Sequence, residues 1–311
     1  MTIGKQTHKS FSMRWRRNWS TYKSVYLLLI PLLAYYIIFH YIPMGGTVIA
    51  FQNYKPALGL TRSKWVGLKH FVTFFKGPYA WRVIRNTLVM NALQILFAFP
   101  APIIFALLLN ELGCKRYQRC IQTVSYMPHF VSLVVICGIL TDFTMTDGLI
   151  NDLIALLGGE RSNLLNRPEL FRTVYVASGI WQNAGWGSII YLATLTNVDP
   201  ALHEAAAIDG AGRLGRMLHV SLPALAPVIT IQFIMRVGNI LSQGYEKVIL
   251  LYRPLTFETA DIISSYVYRS GLLNSNYSFG AAVSVFNSIV NLAILVLANS
   301  LSRRLSETSL W

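Results

Sequence analysis

The chain has 311 residues, of which 54% are hydrophobic and 13% charged; 27 Lys and Arg against 13 Asp and Glu leave a net charge of +14. Soluble domains carry about 25% charged residues, and the mean hydropathy here is +0.46. Together these values exclude an ordinary soluble fold and point to a membrane, whose core of about 30 Å takes roughly 20 apolar helical residues to cross.

Residues 1–24 are basic, with Lys5, Lys9, Arg14, Arg16, Arg17 and Lys23. The apolar run behind them is too long for a signal peptide and has no small-residue cleavage site, so it reads as a retained first span. Six stretches are predicted to cross: Val25–Met44, Leu88–Asn110, Tyr126–Phe143, Val174–Thr196, Leu225–Tyr245 and Phe279–Leu301. The expected fold class is therefore all-α, a polytopic membrane protein with six transmembrane helices. Its parts are a basic segment at 1–24, a first helix at 25–44, an external loop at 45–85, a core at 86–302 and a tail at 303–311. An even number of spans puts both termini on one side. The cations of the N-terminus, with Arg303 and Arg304, make that side cytoplasmic by the positive-inside rule.

The loop at 45–85 runs against that rule. Lys55, Arg62, Lys64, Lys69, Lys76, Arg82 and Arg85 bring seven cations, and no Asp or Glu precedes Glu111. A one-signed surface of this kind attracts anions and steers them inward. An anionic substrate, lipid phosphates and acids on an external protein all satisfy it. Cys114, Cys120 and Cys137 have no metal-ligand spacing and indicate no disulfide framework.

Polar residues inside spans are costly and usually face a cavity or another helix. Gln232, Arg236, Asn239 and Gln243 are spaced four, three and four apart, which at 3.6 residues per turn makes one stripe on the fifth span. Ser284, Asn287, Ser288 and Asn291 repeat the device on the sixth, and Thr87, Asn91 and Gln94 on the second. These stripes suggest a shared polar path, with interhelical hydrogen bonding as the alternative. In the fourth span Trp181, Trp186 and Tyr191 flank Gln182 and Asn183. Indoles stack on the CH faces of sugars and amides bind their hydroxyls, although Trp and Tyr also mark membrane interfaces.

Between the fourth and fifth spans lies "HEAAAIDGAGRLGRMLHVSLPAL", His203–Leu225. Gly210, Gly212 and Gly215 spell G-x-G-x-x-G, but a dinucleotide site needs a strand before the glycines and an acid about twenty residues on. Helix-forming "HEAAAID" precedes them and apolar "APVITIQFIM" follows, so the match is accidental. No G-x-x-x-x-G-K-[ST], no H-E-x-x-H and no clustered acids occur, and the chain does not read as an enzyme. Physically, Asp199 and Pro200 start a short helix, Gly210 and Gly212 break it, and Leu222-Pro223 opens the next span. The product is a stiff, polar-faced knob.

Glu204-Ala205-Ala206, Asp209-Gly210 and Leu222-Pro223 resemble, in type and spacing, the E-A-A loop of transmembrane subunits of type I ABC importers. "YIPMGGTVIAFQNYKP", "FPAPIIFALLLNE" and "GWGSIIYLATL" are similar to the carbohydrate-uptake branch, and within it to permeases for polysaccharide and oligo-alginate fragments. Met217 and Val220 stand where the family more often has an aromatic and an isoleucine. The resemblance implies a pore subunit in a bacterial cytoplasmic membrane, and a coupling helix carrying Glu204, Ala205, Ala206, Asp209, Gly210, Leu222 and Pro223. It also implies a second permease subunit, two ATPase subunits holding ATP and Mg, an external solute-binding protein and an oligosaccharide substrate. No cofactor is expected on this chain. Gln182, Trp186, Gln232, Arg236, Asn239, Gln243, Asn287 and Asn291 are the expected path. The rival reading is a secondary transporter driven by an ion gradient, which usually shows an intramembrane acid or His relay; here only Asp142 lies near a span end.

Overall fold

The computed structural model describes residues 11–241 and 244–305. It is almost wholly helical. In chain order come α1 (Phe11–Tyr36), α2 (Lys69–Lys76), α3 (Ala80–Leu93), α4 (Pro100–Asn110), α5 (Lys115–Phe130), α6 (Leu133–Thr144) and α7 (Leu149–Leu156). Then follow α8 (Pro168–Leu195), α9 (Pro200–Ile208), α10 (Arg213–Arg216), α11 (Leu222–Gly238), α12 (Tyr245–Leu251), α13 (Ile263–Val267) and α14 (Tyr277–Leu305). A two-residue antiparallel ribbon pairs β1 (Gln52–Asn53) with β2 (Lys64–Trp65), Gln52 opposite Trp65.

Five helical runs are long and apolar enough to cross a membrane: Tyr22–Phe51, Ala80–Asn110, Leu133–Leu156, Arg213–Gly238 and Tyr277–Arg303. The sixth expected span is α8. Its 28 residues give about 42 Å at 1.5 Å per residue, but Ser178, Gln182, Asn183 and Ser188 dilute its apolar character. Those residues are polar because α8 is the inner helix, packed against α4 and α5 on one side and α11 on another. Its first half joins a core of Met90, Ile136, Phe171, Tyr175 and Val248; its second half joins Ile103, Leu107, Tyr191, Leu192 and Leu225.

Three expected boundaries are corrected. Tyr126–Phe143 is not one helix: Val131 is extended, and Ser132 caps a new helix by accepting the Val135 N–H at 3.4 Å. The apolar run therefore begins at Leu133. The fifth span starts earlier than Leu222, because a continuous helical run leads from Arg213 into α11. It also ends earlier than Tyr245, at Gly238, with the chain turning through Asn239–Leu241 before α12.

Three of the prolines inside the long runs are accommodated in one recurrent way. Wide turns at Ile37–Tyr41, Gln94–Ala98 and Met217–Ser221 each close with an i→i−5 hydrogen bond, and each is followed two residues on by Pro43, Pro100 or Pro223. Proline lacks an N–H and its ring presses on the carbonyl four residues back. In all three cases that carbonyl belongs to the middle of the wide turn, where the extra residue makes room.

The loop after the first span is folded. His70 is buried, with Nε2 3.1 Å from the Gln52 carbonyl, and burial holds its pKa below the usual value. Phe74 packs on Phe279 and Phe286 of α14. By contrast, the apolar window of α1 has no buried residue, and Leu27 and Leu28 are 71% and 77% exposed. That surface is left for lipid or another subunit.

Candidate functional site: a terminal knob and a central cavity

The knob is α9. Asp199 caps it, its carboxylate accepting the Ala201 N–H at 2.9 Å, and Pro200 occupies the first turn, where a missing N–H costs nothing. At the other end Gly210 adopts φ +81°, a left-handed conformation suited to glycine. There the Gly210 N–H donates to the Ala207 carbonyl (3.1 Å) and the Ala211 N–H to that of Ala206 (2.9 Å), the paired bonds of a Schellman cap. Both ends are thus tied, so the helix is stiff although short. None of its residues is buried, and Glu204, Ala205 and Asp209 are exposed. Leu202 at 54% and Ile208 at 86% exposure give it an uncovered apolar component the sequence reading had described only as polar. Leu222 and Pro223 lie away from the knob, inside the following helix.

The cavity, about 1160 Å³, lies between α8, α11, α12 and the α3–α4 helical run. It brings together Gln182 and Trp186 from α8 with Gln232, Arg236 and Asn239 from α11 and its C-terminal cap. Gln94 is there too, accepting a hydrogen bond from the Arg236 guanidinium through its Oε1. Asn239 donates to the Met235 carbonyl at 3.0 Å. Trp186 is held rather than loose. Its indole stacks on His129 (centroids 4.7 Å, planes 3° apart), Phe130 meets its edge, and His129 Nδ1 donates to Asn183 Oδ1 at 3.1 Å. A rigid indole beside amides, with an arginine opposite, presents a stacking face, hydroxyl partners and one cation to a ligand.

Two expected path residues are placed elsewhere. Because α11 stops at Gly238, the N–H and C=O of Leu241 have no helical ladder to join, and in a membrane interior such groups need partners. Asn291 Oδ1 accepts the Leu241 N–H at 3.0 Å and Asn287 Nδ2 donates to its carbonyl at 3.1 Å. These two asparagines fasten the broken helix to α14 and do not border the cavity. Gln243 lies outside the described residues.

Sequence reasoning missed Lys247. It belongs to α12, is buried at 8% exposure, and borders the same cavity. Its Nζ donates to the Tyr175 carbonyl at 3.3 Å and sits 4.9 Å from the Tyr175 ring. The only available signal was a lone cation ahead of "VILLY", two residues past the expected end of the fifth span at Tyr245. Among the described residues, no Asp or Glu borders the cavity, and neither Arg236 nor Lys247 has a carboxylate within ion-pair distance.

Residues 80–307 match the family model described as "Binding-protein-dependent transport system inner membrane component". The chain belongs to that family. It is accordingly a permease subunit of an ABC importer, the assignment its E-A-A loop suggested. The permease is 44% identical over 290 residues (93% of this chain, 90% of the relative) to the polygalacturonan/rhamnogalacturonan transport system permease protein YteP of Bacillus subtilis strain 168. It is equally 44% identical over 290 residues to the protein LplB of the same organism, covering 93% of this chain and 91% of LplB. It also matches a chain in the crystal structure of a bacterial ABC transporter involved in import of the acidic polysaccharide alginate. That match has TM-score 0.87 and 39% identity, over 94% of this chain and 99% of the other.

The cavity makes a direct expectation. In a cysteine-replaced background, Asn239→Cys is expected to react with a small polar thiol reagent, whereas Ile289→Cys, on the 61% exposed lipid-side surface of α14, stays unreactive in the bilayer. Equal labelling at the two positions would show that the cavity is not water-accessible.

Proposed function

We propose that this permease forms one half of the pore of an importer for acidic oligosaccharides, driven by ATP hydrolysis on a separate subunit. The observation that carries the reading is the cavity: Arg236, amides and a fixed indole, with no bordering acid among the described residues. Guanidinium matches a carboxylate in two parallel hydrogen bonds, and an indole accepts the CH face of a sugar ring. The polygalacturonan/rhamnogalacturonan permease YteP and the alginate importer, as described, support the same substrate class. At the mouth of the loop at 45–85, Arg82 is committed to an ion pair with Asp261. Lys55, Arg62, Lys64, Lys69, Lys76 and Arg85 are exposed and have no ion pair among the described residues, which suits them to attracting an anionic ligand.

In this reading an external solute-binding protein delivers the ligand, and a second permease subunit closes the pore and covers the bare face of α1. Two ATPase subunits, holding ATP and Mg, dock on the α9 knobs from the cytoplasm. Both termini of the permease then lie on the cytoplasmic side. Closure of the ATPases pulls α9, and α8 and α11 that flank it transmit the motion to the cavity walls as rigid rods.

The test is stimulation of ATP hydrolysis by the reconstituted importer with its binding protein, using matched neutral and uronate oligosaccharides. Stimulation by the uronate series is expected, weakening as salt is raised. Stimulation by the neutral series alone would reject the acidic substrate.

A further inference from the structure

We infer that Lys247 is a carboxylate-binding residue of the cavity, sharing an acidic ligand with Arg236. The assignment rests on the acidic-oligosaccharide reading above and deepens it. An ammonium has three donors and no acceptor; the hydrogen bond from Lys247 Nζ goes to the Tyr175 carbonyl, a neutral group. The residue is nevertheless 92% removed from solvent by its 8% exposure. A cation so buried is normally paired, because desolvation disfavours its charge.

The groups that face Lys247 from neighbouring helices provide no such pair. From α8 they are Tyr175 and Gly179, and from α6 the thiol of Cys137; Arg236, a like charge, borders the same cavity. Glu246, next in sequence, is exposed and makes no ion pair among the described residues. Nζ lies close to Gly179 of α8, where an added Cβ would stand 3.6 Å away in ordinary contact, and both residues border the cavity. Two cations border one cavity without an acid of the chain among the described residues to balance either charge. An entering carboxylate supplies that counter-charge, and a neutral ligand of the same shape does not. A repeating uronate chain supplies one carboxylate per sugar, enough to meet both positions.

The experiment uses the assembled importer in lipid nanodiscs with the Asn239→Cys reporter in the cysteine-replaced background. Trigalacturonate, and separately its full methyl ester, are titrated as protectants against the thiol reagent. Lys247→Met is expected to raise the half-protecting trigalacturonate concentration at least about tenfold, the scale of one lost charge-assisted hydrogen bond. Lys247→Arg is expected to restore most of the effect, and the weak protection by the ester is expected to be the same with lysine or methionine. An unchanged trigalacturonate value in Lys247→Met, or an equal rise for acid and ester, would overturn the assignment while leaving the acidic-substrate reading intact. Loss of the second permease subunit from Lys247→Met preparations would assign the lysine to a subunit contact and also overturn it. Failure of trigalacturonate to protect the reporter with Lys247 in place would reject the acidic-substrate reading itself.

Discussion

Glu204→Lys is expected to abolish ligand-stimulated ATP hydrolysis and uptake while the chain still reaches the membrane. Glu204 is exposed on a helix with no buried residue, so the permease's own fold does not depend on it. Its effect must therefore come from whatever docks there. If α9 docks on an ATPase as proposed, reversing the charge sets a cation against a groove suited to a carboxylate, a repulsion of several kcal/mol once water is excluded. The Schellman cap and the Asp199 cap remain, so the knob keeps its shape and loses only its complementarity. Co-purification of the ATPase and its stimulation by loaded binding protein are the readouts. Wild-type stimulation in the lysine variant would remove α9 from the coupling route.

The second large effect is expected at the opposite end of α8. Asp261 is fully buried; its Oδ2 accepts from Arg269 at 2.7 Å and from Arg82 at 3.5 Å, and its Oδ1 from Ser265 at 2.8 Å. Around it, Asn86 donates to the carbonyls of Glu258 and Asp261, and Arg172 of α8 bonds Asn86 Oδ1 and the Thr259 carbonyl. The carboxylate thus ties α3 to the 257–269 segment through Arg82, Arg269 and Ser265, while Arg172 joins α8 to the same node through Asn86 and the Thr259 carbonyl. Asp261→Ala leaves two guanidinium groups without their acid; because these are 28% and 26% exposed, the cost is expected at the low end of the about 3–5 kcal/mol for breaking a buried pair. A large fall in the thermal midpoint of the detergent-solubilised protein is expected. Arg82→Met is expected to cost about 1 kcal/mol or less, since that arginine is 28% exposed and its contact is longer. Equal midpoints for Asp261→Ala and the parent would contradict the role given to this node.

The knob was legible from the sequence because its chemistry is local. Asp199-Pro200 starts a helix and Gly210 stops it through forces that act within a few residues, and the structure places both ends as the residues dictate. The polar stripes were legible only in part, because periodicity identifies a face but not what the face meets. Gln232 and Arg236 sit on a continuous helix and reach the cavity together. Asn287 and Asn291 show the same spacing, yet they serve the backbone of Leu241, a need created by the helix break after Gly238. Nothing local announces that break; a Cβ at Gly238 would overlap Leu295, so the glycine is required by a neighbour 57 residues away in sequence. The same break hid Lys247, whose place in the cavity depends on α12 resuming inside the bundle. α8 was legible as a long helix despite its amides, and Gln182 and Asn183 border the cavity.

Movement of an oligosaccharide by this permease with energy from a separate ATPase is tested most directly by sealed proteoliposomes containing the co-purified complex, with loaded binding protein outside and ATP trapped inside. Accumulation of an oligogalacturonate is expected to require internal ATP and to survive ionophores that collapse proton and sodium gradients. Accumulation without ATP that disappears when those gradients are collapsed would contradict a separate ATPase as the energy source.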